Sequence, residues 1–368
     1  MTGNTSGESN NNAHVFPGKI VVFTNAASNN REFFHSADHL VSKYGEDKII
    51  HLSWPEKFLE EEDRMIESVA ALADDEEVKV LIINQALPGS NAAIDKLREK
   101  RNDIFIICCT IHESPAETAG RADLILMTDE LGMGQAMVKQ ARKQGAKTFI
   151  HYSFPRHMSQ LEMSRSRDMI RDECEKDGIK FVEATALDYT EAAGKAGAEK
   201  YILEDVPRLV AKYGEDTAFF CTNCTLQASL IKAVVACHAI YPQPCCPSPY
   251  HGFPEALGID TLYGQDDLNF IISEASRIAE EKNMTDRLST WPVSASMLST
   301  NAGAEYAIKW INGLVPKQSI DEEVLAKCMS ACIKEVVGEG IEVSMTTYSR
   351  DDGTYENCKL FLMSYLDF

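Results

Sequence analysis

"LVSKYGEDKIIHL", at Leu40–Leu52, and "LVAKYGEDTAFFC", at Leu209–Cys221, share seven of their first eight letters. Each reads as the end of an amphipathic helix, a glycine at a left-handed cap, an acidic turn and the start of an apolar strand. The first copy closes the opening helix of its half of the chain, whereas the second closes the second helix of its half. The matched letters therefore mark one α-to-β junction used twice, not a duplicated domain. A chain assembled from such junctions is α/β with parallel sheets.

Working outward, short apolar runs alternate with helix-length segments. Strands are expected at Lys19–Asn25, Lys48–Ser53, Lys79–Gln85, Ile104–Glu113 and Asp123–Glu130, with helices over about 31–44, 57–73, 91–100, 114–120 and 132–143 between and after them. Their near-continuous apolar interiors suit a sheet covered by helices on both faces. Beyond Gly145 the pattern restarts, with strands Lys147–Ser153, Lys180–Thr185 and Thr217–Asn223 and helices at about 158–176, 192–213 and 225–238. Five prolines in Ile240–Pro254 predict a long, stiff loop. A helix at Glu322–Val337 and strands at Glu342–Thr347 and Lys359–Leu366 complete the chain. The fold class is thus two Rossmann-like lobes: lobe one from residues 18–146 plus about 290–368, lobe two from 147–289, after a flexible polar tether at 1–17. Crossings near Gly145–Thr148, near Met284–Trp291 and after Lys317 would form a hinge.

The 368 residues carry 56 acidic and 36 basic side chains, a formal net charge of −20. Such a surface repels phosphate backbones and anionic headgroups, so nucleic acid is not an expected partner. No run reaches the roughly 18–20 apolar residues of a membrane span. "MTGNTSGESNNNA" (residues 1–13) has no charged-then-apolar export signal. It suits the leader left on an exported, lipid-anchored protein after processing, with a cytoplasmic protein as the alternative. Most of the eleven cysteines sit in apolar runs (Cys108, Cys109, Cys221, Cys237, Cys332) and read as buried free thiols. "CTNC" (Cys221–Cys224) has metal or redox spacing, and Cys245–Cys246 follows it. Adjacent cysteines are poor partners in a closed site, so no metal is expected.

Ligands of open parallel sheets bind beyond the carboxyl ends of the strands. Those ends supply Thr24, Asn25, Gln85, His112, Glu113 and Asp129 in the first lobe, and Tyr152, Ser153, Arg156 and Asn223 in the second. Tyr250 and His251 of the proline-rich loop join the same rim if that loop crosses the cleft. Asp129, Ser153 and Asn223 are equally suited to capping the helices that follow. Pro155 argues against a simple helix start at Arg156, and Arg156 with Glu113 or Asp129 would suit a polar or zwitterionic solute. Enzyme signatures are missing: there is no G-x-S-x-G, H-E-x-x-H or P-loop. "GMGQAM" (Gly132–Met137) lacks the third glycine of a dinucleotide fingerprint and follows the wrong strand. No catalytic residue and no cofactor are expected, although His112 or His251 would be the base of a hydrolase or transferase.

Two tandem Rossmann-like lobes resemble the type I periplasmic-binding-protein fold. More specifically, "INQALPGSNAAIDKLREKR", "KTFIHYSFPRHMS", "TAFFCTNCTLQASLIKAV", "IYPQPCCPSPYHGFPEALGI", "STWPVSASML" and "EYAIKWING" are similar to an uncharacterised bacterial family of candidate solute-binding lipoproteins. The resemblance runs from about Lys19 to the C-terminus. It implies an extracytoplasmic, lipid-anchored receptor that traps a small polar solute between its lobes and passes it to an ABC transporter permease. The same fold serves as the effector domain of sugar-responsive repressors, so a ligand-sensing domain without its own DNA-binding headpiece is the alternative.

Overall fold

In the computed structural model, residues 16–27, 31–57, 60–261 and 268–368 are described; most of the polar leader lies outside them. Strands β1 (Lys19–Thr24), β2 (Ile49–Ser53), β3 (Val78–Asn84), β4 (Phe105–Cys109) and β5 (Leu124–Thr128) alternate with helices α1 (Arg31–Tyr44), α2 (Glu62–Ala70), α3 (Ser90–Arg98) and α4 (Pro115–Ala119). Then come α5 (Glu130–Lys143), β6 (Thr148–Ser153), α6 (Pro155–Met158), α7 (Leu161–Lys176), β7 (Lys180–Thr185), α8 (Gly194–Tyr213), β8 (Thr217–Cys221) and α9 (Gln227–Ala236). The remainder holds α10 (Phe253–Leu257), α11 (Leu268–Glu281), β9 (Ser289–Thr290), α12 (Ala295–Ile311), α13 (Glu322–Val337), β10 (Val343–Arg350), β11 (Gly353–Met363) and β12 (Leu366–Asp367).

A seven-stranded sheet has the order β10-β11-β5-β4-β3-β1-β2, and β1 to β5 pair in parallel. A three-stranded parallel sheet has the order β7-β6-β8, and β9 pairs antiparallel with β12. The chain divides into two compact units. Unit 1 takes the described residues up to Leu126 with Ser299–Cys328 and Thr347–Lys359; unit 2 takes Met127–Leu298, Met329–Thr346 and Leu360–Phe368. β3 and β4 are the apolar heart of unit 1, buried along nearly their whole length. In unit 2, Phe149, Ile150, Phe219 and Cys221 of β6 and β8 are fully covered.

The repeated junction ends on a positive-φ glycine in both copies, although Gly214 lies outside the left-handed helical region expected of the cap. Gly45 and Gly214 adopt φ of +91° and +89°, and each donates its N–H back to the helix it ends, to Val41 and Val210 carbonyls at 2.8 Å. Gly214 has ψ 172°, a combination only glycine adopts at ease. Two local expectations are corrected. Pro155 does open a helix, because proline at the first helical position lacks only an N–H that would be unpaired anyway. For the same reason the proline-rich loop stops short of Pro254, which enters α10.

Candidate functional site

In unit 1 the carboxyl ends of β1 and β3 and the loop after β4 bring four of the expected residues together. Thr24 is fully buried; its hydroxyl meets His51 Nε2 at 2.8 Å, and the other ring nitrogen of His51 meets Asp38 at 2.9 Å. Burial lowers the pKa of His51 despite this carboxylate. Asn25 Nδ2 donates to Gln85 Oε1 at 2.9 Å, and Gln85 Nε2 in turn bonds His112 Nε2. An amide can only donate through nitrogen, so this bond leaves the proton of a neutral His112 on Nδ1. The ring reaches solvent, yet packing on its remaining surface lowers its pKa. The Asn84–Gln85 peptide is cis. Trp54 stacks on Phe23 at 4.4 Å and donates its indole N–H to the Gln85 carbonyl at 3.0 Å, which fixes the backbone below this amide chain.

Glu113 is committed elsewhere. Its carboxylate accepts from Gly89 N at 3.3 Å and Asn91 N at 2.8 Å, a negative charge at the N–H groups that open α3. Beside it, Asn25 Oδ1, Ser90 Oγ and Asn91 Oδ1 are buried and have no hydrogen-bond partner among the described residues. Buried polar atoms are nearly always paired, so these three oxygens are candidates to meet another polar group. Ser90 and Asn91 escaped the sequence reading, which took only Gln85 from the end of this strand. The Gly-Ser-Asn run between a strand and a helix-length segment was the available signal.

In unit 2 the expected residues do not converge in this way. The Tyr152 hydroxyl is buried and donates to Asp205 at 2.7 Å; burial raises its pKa, and the bond to this carboxylate adds to the effect. Asp129 caps α5 by accepting from Gly132 N at 3.1 Å, and Asn223 caps a single turn of 3-10 helix at Cys224–Leu226 by accepting from Thr225 N at 2.9 Å. Ser153 ends β6 nearly buried. Arg156 pairs with neither Glu113 nor Asp129 in the contacts it makes: it grips Asp188. Each of these charged groups has a protein partner.

The proline-rich loop forms a second grouping. Cys245 Sγ lies 3.3 Å from Cys224 Sγ and 3.6 Å from His251 Nε2, while Cys246 Sγ is 3.9 Å from both other sulphurs. Cys221, the first cysteine of "CTNC", is fully buried in β8. The loop is pressed onto α9 at Gly252, where a Cβ would stand 2.9 Å from Gln227 Cβ. Tyr250 flanks His251, its N–H bonded to Ser248 Oγ at 3.2 Å.

Among the described residues no helix is long and apolar enough to cross a membrane. The chain is similar to a crystal structure from Clostridium difficile 630 provisionally named a transcriptional regulator. The TM-score is 0.86 at 21% identity, covering 96% of this chain and 100% of that one. It is also similar to a sugar ABC transporter protein from Actinomyces odontolyticus ATCC 17982, with a TM-score of 0.52 at 10% identity over 81% of this chain and 84% of that one. A ribose ABC transporter protein from Conexibacter woesei DSM 14684 gives 0.50 at 13% identity over 88% and 98%. At such identities these likenesses establish the fold alone: it is type I periplasmic-binding-protein-like. An uncharacterized protein of Treponema pallidum (strain Nichols) is 31% identical over 165 residues, 45% of this chain and 76% of its own length. A family model described as "Protein of unknown function (DUF3798)" matches residues 18–289, and the chain belongs to that family.

Proposed function

We propose that this protein is an extracytoplasmic binding protein, tethered by an N-terminal lipid, that captures a small polar solute and delivers it to an ABC importer without chemical turnover. The observation that carries the reading is the amide chain Asn25–Gln85–His112 beside the unpaired oxygens of Asn25, Ser90 and Asn91. Carboxamides and a hydroxyl both donate and accept, which suits a solute rich in hydroxyl or amide groups. With Glu113, Asp129 and Arg156 occupied by protein partners, a neutral solute is better matched than the zwitterion. Several hydrogen bonds at about 1 kcal/mol each, made on a preformed frame, add up to micromolar-range affinity once apolar contacts contribute.

The test is a melting-temperature screen of sugars, polyols and amides, followed by mass analysis of the incubated compound. A shift with the compound intact supports the proposal; consumption of the compound makes the protein an enzyme instead. A ligand-sensing role is the second reading, favoured by the likeness to the Clostridium difficile protein. Growth of a deletion strain on the identified solute separates the two, since loss of uptake is expected only of an importer component.

A further inference from the structure

We propose that Cys224, Cys245 and His251 form a binding site for a thiophilic cation, with Zn2+ the best-matched ion. This site is separate from the amide chain of unit 1 and does not depend on the solute-binding reading. Zinc binds sulphur at about 2.3 Å and imidazole nitrogen at about 2.0–2.1 Å, so a regular tetrahedron sets neighbouring sulphurs about 3.8 Å apart and sulphur about 3.5 Å from nitrogen. The Cys224–Cys245 edge is 3.3 Å and the Cys245–His251 edge 3.6 Å. The donor atoms of Cys224, Cys245 and His251 all lie within 4.8 Å of one another. A disulfide would use both of these sulphurs and leave the imidazole gathered at the same point without purpose.

The scaffold around the cluster is rigid where the donors need it. Cys224 opens the 3-10 turn that Asn223 caps, and buried Gln227 ties the carbonyls of Cys221 and Asn223 with bonds of 2.9 and 2.7 Å. Gln227 also takes a bond from the Tyr241 hydroxyl at the start of the proline-rich loop. The close approach of Gly252 to α9 fixes the other end, next to His251. A cation held here would join the turn after β8 to a loop that has little regular structure of its own. The thiols bind as thiolates and release their protons to solvent; no electron transfer is involved. Cys224 and Cys246 are exposed, which gives the ion a route in.

The experiment adds Co2+ to the full-length protein after chelation and reduction, and then displaces it with Zn2+. The expected result is about one equivalent bound, with thiolate-to-cobalt charge transfer in the near ultraviolet and intense visible bands of tetrahedral cobalt. Cys224→Ser and His251→Ala should each remove this spectrum, while Cys237→Ser, a thiol outside the cluster, should retain it in full. Far-ultraviolet circular dichroism checks folding, and Cys245→Ser stands in for any variant that fails that check. Absence of the chromophore from the reduced wild-type protein overturns the proposal. So does a chromophore that survives Cys224→Ser, or a Cys224–Cys245 disulfide that persists in reductant. Solute-induced melting shifts play no part in the readout, so the two proposals fail independently.

Discussion

Arg156 holds both carboxylate oxygens of Asp188, Nε to Oδ2 at 2.8 Å and Nη2 to Oδ1 at 3.0 Å. The Asp188 side chain is only 5% exposed, and Thr190 adds a backbone and a hydroxyl donor at 3.0 and 2.8 Å. The guanidinium also lies over the rings of Phe154 and Tyr189, at 5.1 and 5.8 Å. This planar, bidentate grip is structural in form. Arg156→Ala should therefore lower the thermal midpoint, and Asp188→Asn in the same chain should restore part of it by removing the stranded charge. The arginine beside it holds the Asp188 carboxyl well below the usual range. Its contribution is present above the unfolded pKa of about 3.8 and disappears as pH falls below that. Solute affinity is the control: a loss greater than the stability change predicts would return Arg156 to the binding site.

Asn91→Ala should behave oppositely. Its buried Oδ1 has no partner among the described residues, so deleting it should leave the midpoint unchanged or slightly raised. Solute affinity should fall about 5- to 30-fold, the equivalent of one or two lost hydrogen bonds. Isothermal titration with the solute found in the melting screen measures both this variant and Asn25→Ala. Unchanged affinity in both would remove the strand ends of unit 1 from the proposed function.

Gly214→Ala should destabilise by about 1–3 kcal/mol through backbone strain, since a Cβ there meets no atom within 4 Å. Gly120 supplies the comparison, because its φ is −76° and an added Cβ meets only Glu117 O at 3.8 Å. Gly120→Ala should be neutral or stabilising by up to about 1 kcal/mol. Chemical denaturation of the two variants tests the difference in sign.

His151 is 1% exposed, set between the rings of Phe181 and Phe220 at 6.0 and 5.6 Å. Burial, with the nearby Arg167 charge, pushes its pKa down to about 4. The unfolded chain takes up a proton near pH 6.5 that the native state refuses until about pH 4. Stability from this group is therefore complete above pH 6.5 and falls as pH drops towards 4, by about 3 kcal/mol in total. His151→Phe should flatten the dependence of the urea midpoint on pH over that interval. Part of the slope will remain, because burial lowers His51, His112 and His157 in the same direction.

The sequence exposed the parallel strands because β1, β3 and β4 are covered on both faces and must be apolar throughout. It also gave Asn25, Gln85 and His112 as neighbours, since strand ends of one parallel sheet lie side by side. Cap duty was harder to read. Glu113 sits in the loop after β4 but serves the helix that begins after β3, a tertiary relationship that no local pattern encodes. The cysteine cluster was hidden for a related reason. "CTNC" invites pairing of Cys221 with Cys224, but β8 buries the first and the 3-10 turn carries the second towards Cys245, 21 residues on.

Unit 1 is completed late. Residues 299–328 and 347–359 belong to it, and Gly303 of α12 packs so closely that an added Cβ would touch Ile107 at 3.5 Å and Leu126 at 3.7 Å. During synthesis the first 126 residues must wait for nearly the whole polypeptide to leave the ribosome before their apolar sheet is fully covered. A nascent chain stalled short of α12 would expose β4 and β5, the kind of surface that recruits chaperones.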